Sequence, residues 1–232
     1  MIKLSTFLYS YRNRVDVGTV RIGAGEVEGV DEIKYLGVVL DYRLRFDTQI
    51  GLTSIKISRV IGMLSKLCHF YPIDVLRTLY FTFVHPHLLY GLEVWYGAPV
   101  CLSNKLSVLQ KRAVRCVNGL DYGAHTGPAF RDMKLLPLCK LYEFCIGVYM
   151  FRTMRVVNYD RQLFNRLNAL QDQHDHLTRN RLQIIIPRFN KATTQQCILY
   201  RGIVILNGIS HKLDISVVCF KKFLKERLLA EI

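Results

Sequence analysis

From residue 50 onward the chain carries its apolar residues at the spacing of a helix face, and this periodicity constrains the fold more than any other feature of its 232 residues. Ile50, Ile57, Ile61, Leu64 and Cys68 fall on one side of a helix, with Lys56, Arg59 and Lys66 on another. Residues 102–118 repeat the arrangement. Leu102, Leu106, Leu109 and Ala113 form an apolar stripe there, and Lys105, Arg112 and Arg115 a basic one. Further helical patterns fall at about 73–90, 126–133, 138–155 and 160–171. A last one runs from Ser216, an expected N-cap, to Leu229 and carries Lys221, Lys222, Lys225 and Arg227.

Before residue 50 the pattern is different. Short β-like runs at Leu4–Ser10, Thr19–Ile22 and Ile33–Leu40 are punctuated by Gly18, Gly23, Gly25 and Gly29. The expected fold class is therefore mainly α, with a short N-terminal β-hairpin region followed by a helical bundle. Charge changes at the same place. The first 50 residues carry seven basic and seven acidic groups, and the rest 25 and 11, so the whole net charge of +14 lies after residue 50. Gly119, Gly123 and Gly127 mark a turn before a short helix, and the polar stretch 172–197 reads as a linker or irregular arm. The chain has no repeat of fixed period and no low-complexity tract.

Hydrophobic residues make up 50% of the chain, enough to bury a core and too many for a disordered basic tail. No apolar run reaches the ~18 residues of a membrane helix. The best candidate, Thr78–Leu92, holds His85, Pro86, His87 and Gly91. With no signal-peptide pattern either, a soluble protein without a membrane partner is expected. The seven cysteines are scattered and never spaced C-x-x-C. That excludes a zinc ribbon and argues against a disulfide framework, pointing to a reducing compartment, cytoplasmic or nuclear, with most thiols acting as small hydrophobes.

Basic helix faces in a chain with 13 tyrosines and 12 phenylalanines suggest binding to a nucleic-acid backbone, the plainer alternative being solvated helix surfaces. Catalytic chemistry has little support. Metal-assisted phosphoryl transfer needs converging carboxylates, yet the one adjacent acidic pair, Asp31 and Glu32, reads as a surface turn. Gly23 and Gly25 lack the rest of a dinucleotide fingerprint, and no phosphate loop of the G-x-x-x-x-G-K type occurs. Neither His174 with His176 nor His85 with His87 has a second close ligand pair. His176, Arg179 and Tyr200 outline a phosphate clamp beside a nucleophile, but further basic partners are missing and Tyr200 lies in a strand-like run. Cys68 and His69, as helical neighbours, diverge. No catalytic residue and no metal site is expected.

Several segments are informative together. The run from Asp31 through Lys34, Tyr35, Leu36, Gly37 and Val38 to Asp41, then Leu44 and Phe46, resembles the segment after the catalytic palm in non-LTR (LINE-type) retrotransposon reverse transcriptases, the jockey-like branch above all. Tyr80 through Pro86 to Tyr90 and Gly91, with Trp95, is similar to the next block of that family. Leu109 to Arg115, then His125, Thr126 and Pro128, and Leu135–Pro137 through Tyr149 to Arg152 continue in the same order. Fainter likenesses follow at His176 and Arg179, Pro187 and Arg188, and Phe220 to Lys225.

The resemblance implies a division into residues 1–46, a β-rich palm remnant with the primer-grip segment, 47–171, a helical thumb-like region, and 172–232, a linker arm with a C-terminal helical tail. Tyr35, Leu36 and Gly37 match the primer grip, a hairpin that steadies the 3′ end of the growing strand. Gly37 would let nucleic acid approach the backbone closely. Read without the family, the same residues suit a core strand with a bulge. The thumb likeness makes Lys56, Arg59, Lys66, Lys105, Arg112 and Arg115 the expected contacts to the template–primer backbone. The family's aspartate pair, earlier palm carboxylate and fingers are not in this chain, so alone it is expected not to polymerise DNA. A Mg ion would belong to that palm, and no cofactor is expected here. The family's C-terminal Trp-Asn-x-Leu-Pro is reduced, in Ile205–Ser210, to Asn207. Expected partners are an RNA or DNA template–primer and, further, the missing palm and fingers or a second copy. The alternative is a host-retained helical protein-interaction module without catalysis.

Overall fold

The first elements are strands too short to hold a sheet by themselves. The computed structural model describes residues 5–6, 20–22, 25–155, 160–171, 184–186, 198–209 and 215–232. Strands β2 (Val20–Ile22) and β3 (Gly25–Gly29) pair antiparallel, and β1 (Ser5–Thr6) runs parallel to β3. A second antiparallel pair, β4 (Glu32–Tyr35) and β5 (Val38–Asp41), sets Glu32 opposite Asp41 and Tyr35 opposite Val38. The single run expected over Ile33–Leu40 is thus a hairpin. Its loop is Leu36 and Gly37, both at positive φ (46° and 83°), the two-residue turn whose twist matches that of the flanking strands. Tyr35 and Leu36 are exposed, so these residues are not a core strand with a bulge.

Asp41 turns the chain into the first helix. Its carboxylate accepts the backbone N–H groups of Arg45 (3.0 Å) and Phe46 (2.6 Å), just before α1 (Asp47–Leu67). Gln49 then reaches back, its Oε1 accepting the Val39 N–H at 3.0 Å. Glu32 accepts the Thr48 hydroxyl; Asp31 and Glu32 are both exposed, but only Asp31 lies at a bend, Glu32 being the first residue of β4.

The other helices are α2 (Ile73–Phe83), α3 (His85–Leu89), α4 (Leu92–Trp95), α5 (Val100–Asn118), α6 (Gly127–Asp132), α7 (Leu138–Arg155), α8 (Arg161–Gln171), α9 (Ile198–Asn207) and α10 (Val217–Ala230). The helix expected over 73–90 is two, because Pro86 brings no N–H to continue α2 and opens α3 instead. Tyr200 lies in α9, not in a strand. That apolar run is helical because it packs on α7, burying Gly202, Ile203 and Leu206. The approach is close: a Cβ on Gly202 would stand 2.4 Å from Met150 Cγ, and one on Gly147 3.2 Å from Ile205 Cγ2 of α9 and 2.6 Å from Leu224 of α10. Ser216 caps α10 as expected, accepting the Cys219 N–H at 3.3 Å.

One hydrophobic cluster joins these helices, from Ile57 and Leu64 through Tyr80, Trp95 and Leu106 to Ile146, Phe151, Phe220 and Leu224. Phe151 and Phe220 stack at 3.9 Å between centroids. Gln110 supplies the polar centre. Its Nε2 donates to Tyr80 Oη (3.2 Å) and Leu136 O (3.0 Å), while its Oε1 accepts the Leu138 N–H at 2.8 Å. Asn207 does similar work at the edge, accepting from the Ile184 N–H (2.9 Å) and donating to its carbonyl (2.8 Å). The rest of the expected arm, with His174, His176 and Arg179, lies outside the described residues. The cysteines correct an expectation. Cys68, Cys116 and Cys145 are half-buried, but Cys101, Cys139 and Cys219 are exposed. Among the described residues, no helix is long and apolar enough to cross a membrane.

Candidate nucleic-acid interface

The two most informative sequence blocks meet at the hairpin tip. The Tyr90 hydroxyl donates to the Leu36 carbonyl across 54 residues of chain. Gly37 lies against the Tyr90 ring, where a Cβ would stand 3.0 Å from its hydroxyl oxygen. One residue on, a Cβ at Gly91 would meet Val38 Cγ2 at 2.9 Å, and the Trp95 indole donates to the Tyr90 carbonyl at 2.8 Å. Gly37 therefore admits a close approach, as its position in the sequence suggests, but the partner inside the chain is a tyrosine. Tyr35 and Leu36 are left 62% and 74% exposed, the tip presenting two large side chains on a backbone held from behind. Tyr90 is the positioning residue that sequence reasoning missed. Its place beside Gly91 was visible, its bond to Leu36 was not.

The six basic residues divide by place. Lys56, Arg59 and Lys66 are exposed on α1, and Lys105 and Arg112 on α5, which packs along α1. Among the described residues, none of these five is in an ion pair or hydrogen bond. Ion pairs among the described residues involve other side chains, as between Arg45 and Asp47 (3.1 Å), Lys140 and both Glu143 (3.2 Å) and Glu231, and Arg227 and Glu231 (3.7 Å). Arg115 is half-buried and engaged, its Nε donating to the Ala124 carbonyl at 3.0 Å. Arg112 and Arg115 together line a groove between α1 and α5. Lys56 lies toward α3, where its charge adds to burial in holding His87 below the usual histidine range.

His85 and His87 belong to no metal-ligating cluster among the described residues. Burial, and then the charge of Lys225, lowers the pKa of His85, whose Nδ1 is buried without a hydrogen-bond partner among the described residues. The described residues bring together no group of three or more His, Cys, Asp or Glu side chains placed to hold a metal ion. Burial, and then Glu93, push the Cys145 thiol up to about 12, away from the thiolate that a nucleophile needs.

A mainly helical chain with a clamped hairpin tip and unpaired cations along adjacent helices is a surface suited to polyanions. No family model matches the sequence, and no solved structure matches it. The chain is similar to a protein of Drosophila melanogaster described as "Probable RNA-directed DNA polymerase from transposon BS", at 31% identity over 118 residues. The match takes in 47% of this chain and 13% of that protein, so the chain spans a small part of its relative's length. The similarity supports the coarse resemblance to transposon reverse transcriptases.

Proposed function

We propose that this chain is the post-palm region of a non-LTR, jockey-like reverse transcriptase, with β4 and β5 as primer grip, α1 to α8 as thumb, and α9 and α10 as a C-terminal helical tail. In this reading its own capability is binding the template–primer backbone with little sequence preference, while the polymerase carboxylates belong to a palm outside it. The observation that carries the reading is electrostatic. Five exposed cations on α1 and α5 have no acidic partner among the described residues, although acidic side chains pair with cations elsewhere in the chain. Cations on adjacent helices that no carboxylate neutralises are available to phosphates, and each such contact would release counterions on binding.

The test is anisotropy titration of a labelled RNA–DNA hybrid over a range of salt. Neutralising Lys56, Arg59 and Lys66 together to glutamine should lower the slope of log K against log salt by roughly 2 to 3, since each phosphate contact contributes about 0.9. An unchanged slope overturns the assignment. A second reading, a helical protein-interaction module, draws on the exposed Leu52, Ile55 and Met63 beside those cations and on Phe70 and Tyr71 after α1. Self-association insensitive to salt, without nucleic-acid binding, would favour it.

A further inference from the structure

We infer that the groove between α1 and α5 is a single-strand subsite, taking one unpaired nucleotide with its base stacked on Tyr122 and its phosphate on Arg112 and Arg115. The inference rests on the nucleic-acid reading above and adds to it a place, a ligand unit and an aromatic contact. The groove, about 340 Å³, has Ser58, Gly62 and Ser65 of α1 along one wall. Arg112 and Arg115 of α5 form the other, and Tyr122 stands at the end where α5 turns back. Among the described residues no acidic side chain lines it, and Asp121, next to Tyr122 in sequence, is not part of the lining. Its volume is that of a small-ligand site, suited to one nucleotide rather than to a duplex.

Three features argue against a mere crease between helices. Tyr122 is 80% exposed, yet its backbone is built in place. Gly119 (φ 61°) ends α5, Leu120 N–H donates to Arg115 O at 3.0 Å, Ala124 N–H to Asp121 O at 3.1 Å, and Arg115 Nε to Ala124 O at 3.0 Å. An exposed aromatic ring carried on a fixed backbone offers a face on which a base can stack. Arg115 fixes this turn with one N–H and leaves the rest of its guanidinium for a phosphate, and Arg112 has no partner among the described residues. At Gly62, in mid-helix, a Cβ would meet nothing within 4 Å, so packing inside the chain does not require a glycine there. Its absent side chain keeps the α1 backbone open to the groove.

The experiment uses the full chain and a single-stranded oligodeoxynucleotide bearing one 2-aminopurine, with a blunt RNA–DNA hybrid as reference. Tyr122→Ala should weaken single-strand binding about tenfold, within the range measured for one base–aromatic stack, and abolish the 2-aminopurine quenching. Its salt slope and hybrid affinity should stay as in wild type, because no charge is removed. Tyr122→Trp should restore quenching, which a merely structural role would not predict. Gly62→Gln should block the groove and weaken single-strand binding several-fold while keeping the helix intact. Single-strand binding unchanged in both Tyr122→Ala and Gly62→Gln, with hybrid binding normal, overturns the subsite alone. Wild-type protein that binds neither probe overturns the subsite and the nucleic-acid reading together.

Discussion

Replacing Gln110 by leucine should remove the polar centre that ties α2, α5 and the start of α7 together. Three buried groups lose their partner: Tyr80 Oη and Leu136 O lose a donor, and the Leu138 N–H loses an acceptor. Tyr80 is fully buried, and Leu136 and Leu138 nearly so, so water cannot replace the lost bonds without the core opening. A buried group left unsatisfied costs about 1–3 kcal/mol. Three would sum to more, but leucine also removes the expense of burying an amide, and Leu138, as the first residue of α7, can shift. The expected net loss is about 3 kcal/mol, a large part of the roughly 5–15 kcal/mol that holds a domain folded. Urea titration followed by far-ultraviolet circular dichroism would read it as a fall of about 1–2 M in the midpoint. Adding Tyr80→Phe to Gln110→Leu should recover stability, since it deletes one of the orphaned oxygens. A Gln110→Leu protein within about 0.5 kcal/mol of wild type, or a double variant whose losses simply add, would refute the reasoning.

Three further expectations follow from groups already described. The folded-state pKa of His85 is depressed by burial and by Lys225, so the stability tied to its neutral form is present above the ordinary value of 6.5 and is lost as pH falls below it. His85→Phe should flatten that acid limb, and urea midpoints at pH 5 and 7.5 that differ as much as in wild type would count against it. Burial pushes the phenols of Tyr80 and Tyr96 up to about 12, so their contribution is intact below pH 10 and lost as pH rises toward 12. Tyr80→Phe should make the alkaline decline shallower in thermal melts at pH 9 to 11.5. Tyr90→Phe should change global stability by less than about 1 kcal/mol, its bond to Leu36 being exposed, yet speed amide exchange at Gly37 and Val38. Unaltered exchange there would mean that the hairpin tip does not depend on Tyr90.

The helices were legible where one face alone is buried. In α1 the spacing of Ile50, Ile57, Ile61 and Leu64 is the spacing of its buried side, and in α5 Leu106, Leu109 and Ala113 do the same. α9 was not legible. Its run from Ile198 to Leu206 has the β-branched content of a strand, and it is a helix because Gly147 and Gly202 let it lie tightly on α7, a fact about two distant segments. The hairpin was legible only through the family likeness: the run Ile33–Leu40 reads as one strand across Gly37, and the positive φ of Leu36 goes with a Tyr90 hydroxyl bond beyond any local pattern. The basic residues of the candidate site could be read from spacing, since charge on the face opposite a core stripe is necessarily outward. Tyr122 could not be ranked above twelve other tyrosines, because its exposure depends on how residues 119–124 fold back on Arg115. A ring flanked by Gly119 and Gly123 was the one available hint.

The link between Asn207 and Ile184 also has a chemical side. Asn207 is followed by glycine, the pairing in which a backbone nitrogen most readily attacks the preceding amide carbon to close a succinimide and release ammonia. Here the attack is doubly restrained. The Asn207 amide is held at both its oxygen and its nitrogen by Ile184, and the Gly208 N–H is engaged with the Val204 carbonyl at 3.1 Å. Ring closure therefore requires the end of α9 to open first. The slow appearance of aspartate and isoaspartate at position 207 becomes a clock for that opening, readable by mass spectrometry without any label. Each event also leaves a mark, because the product carboxylate can no longer donate the N–H that Ile184 O accepts, and the corner keeps at most one of its two bonds.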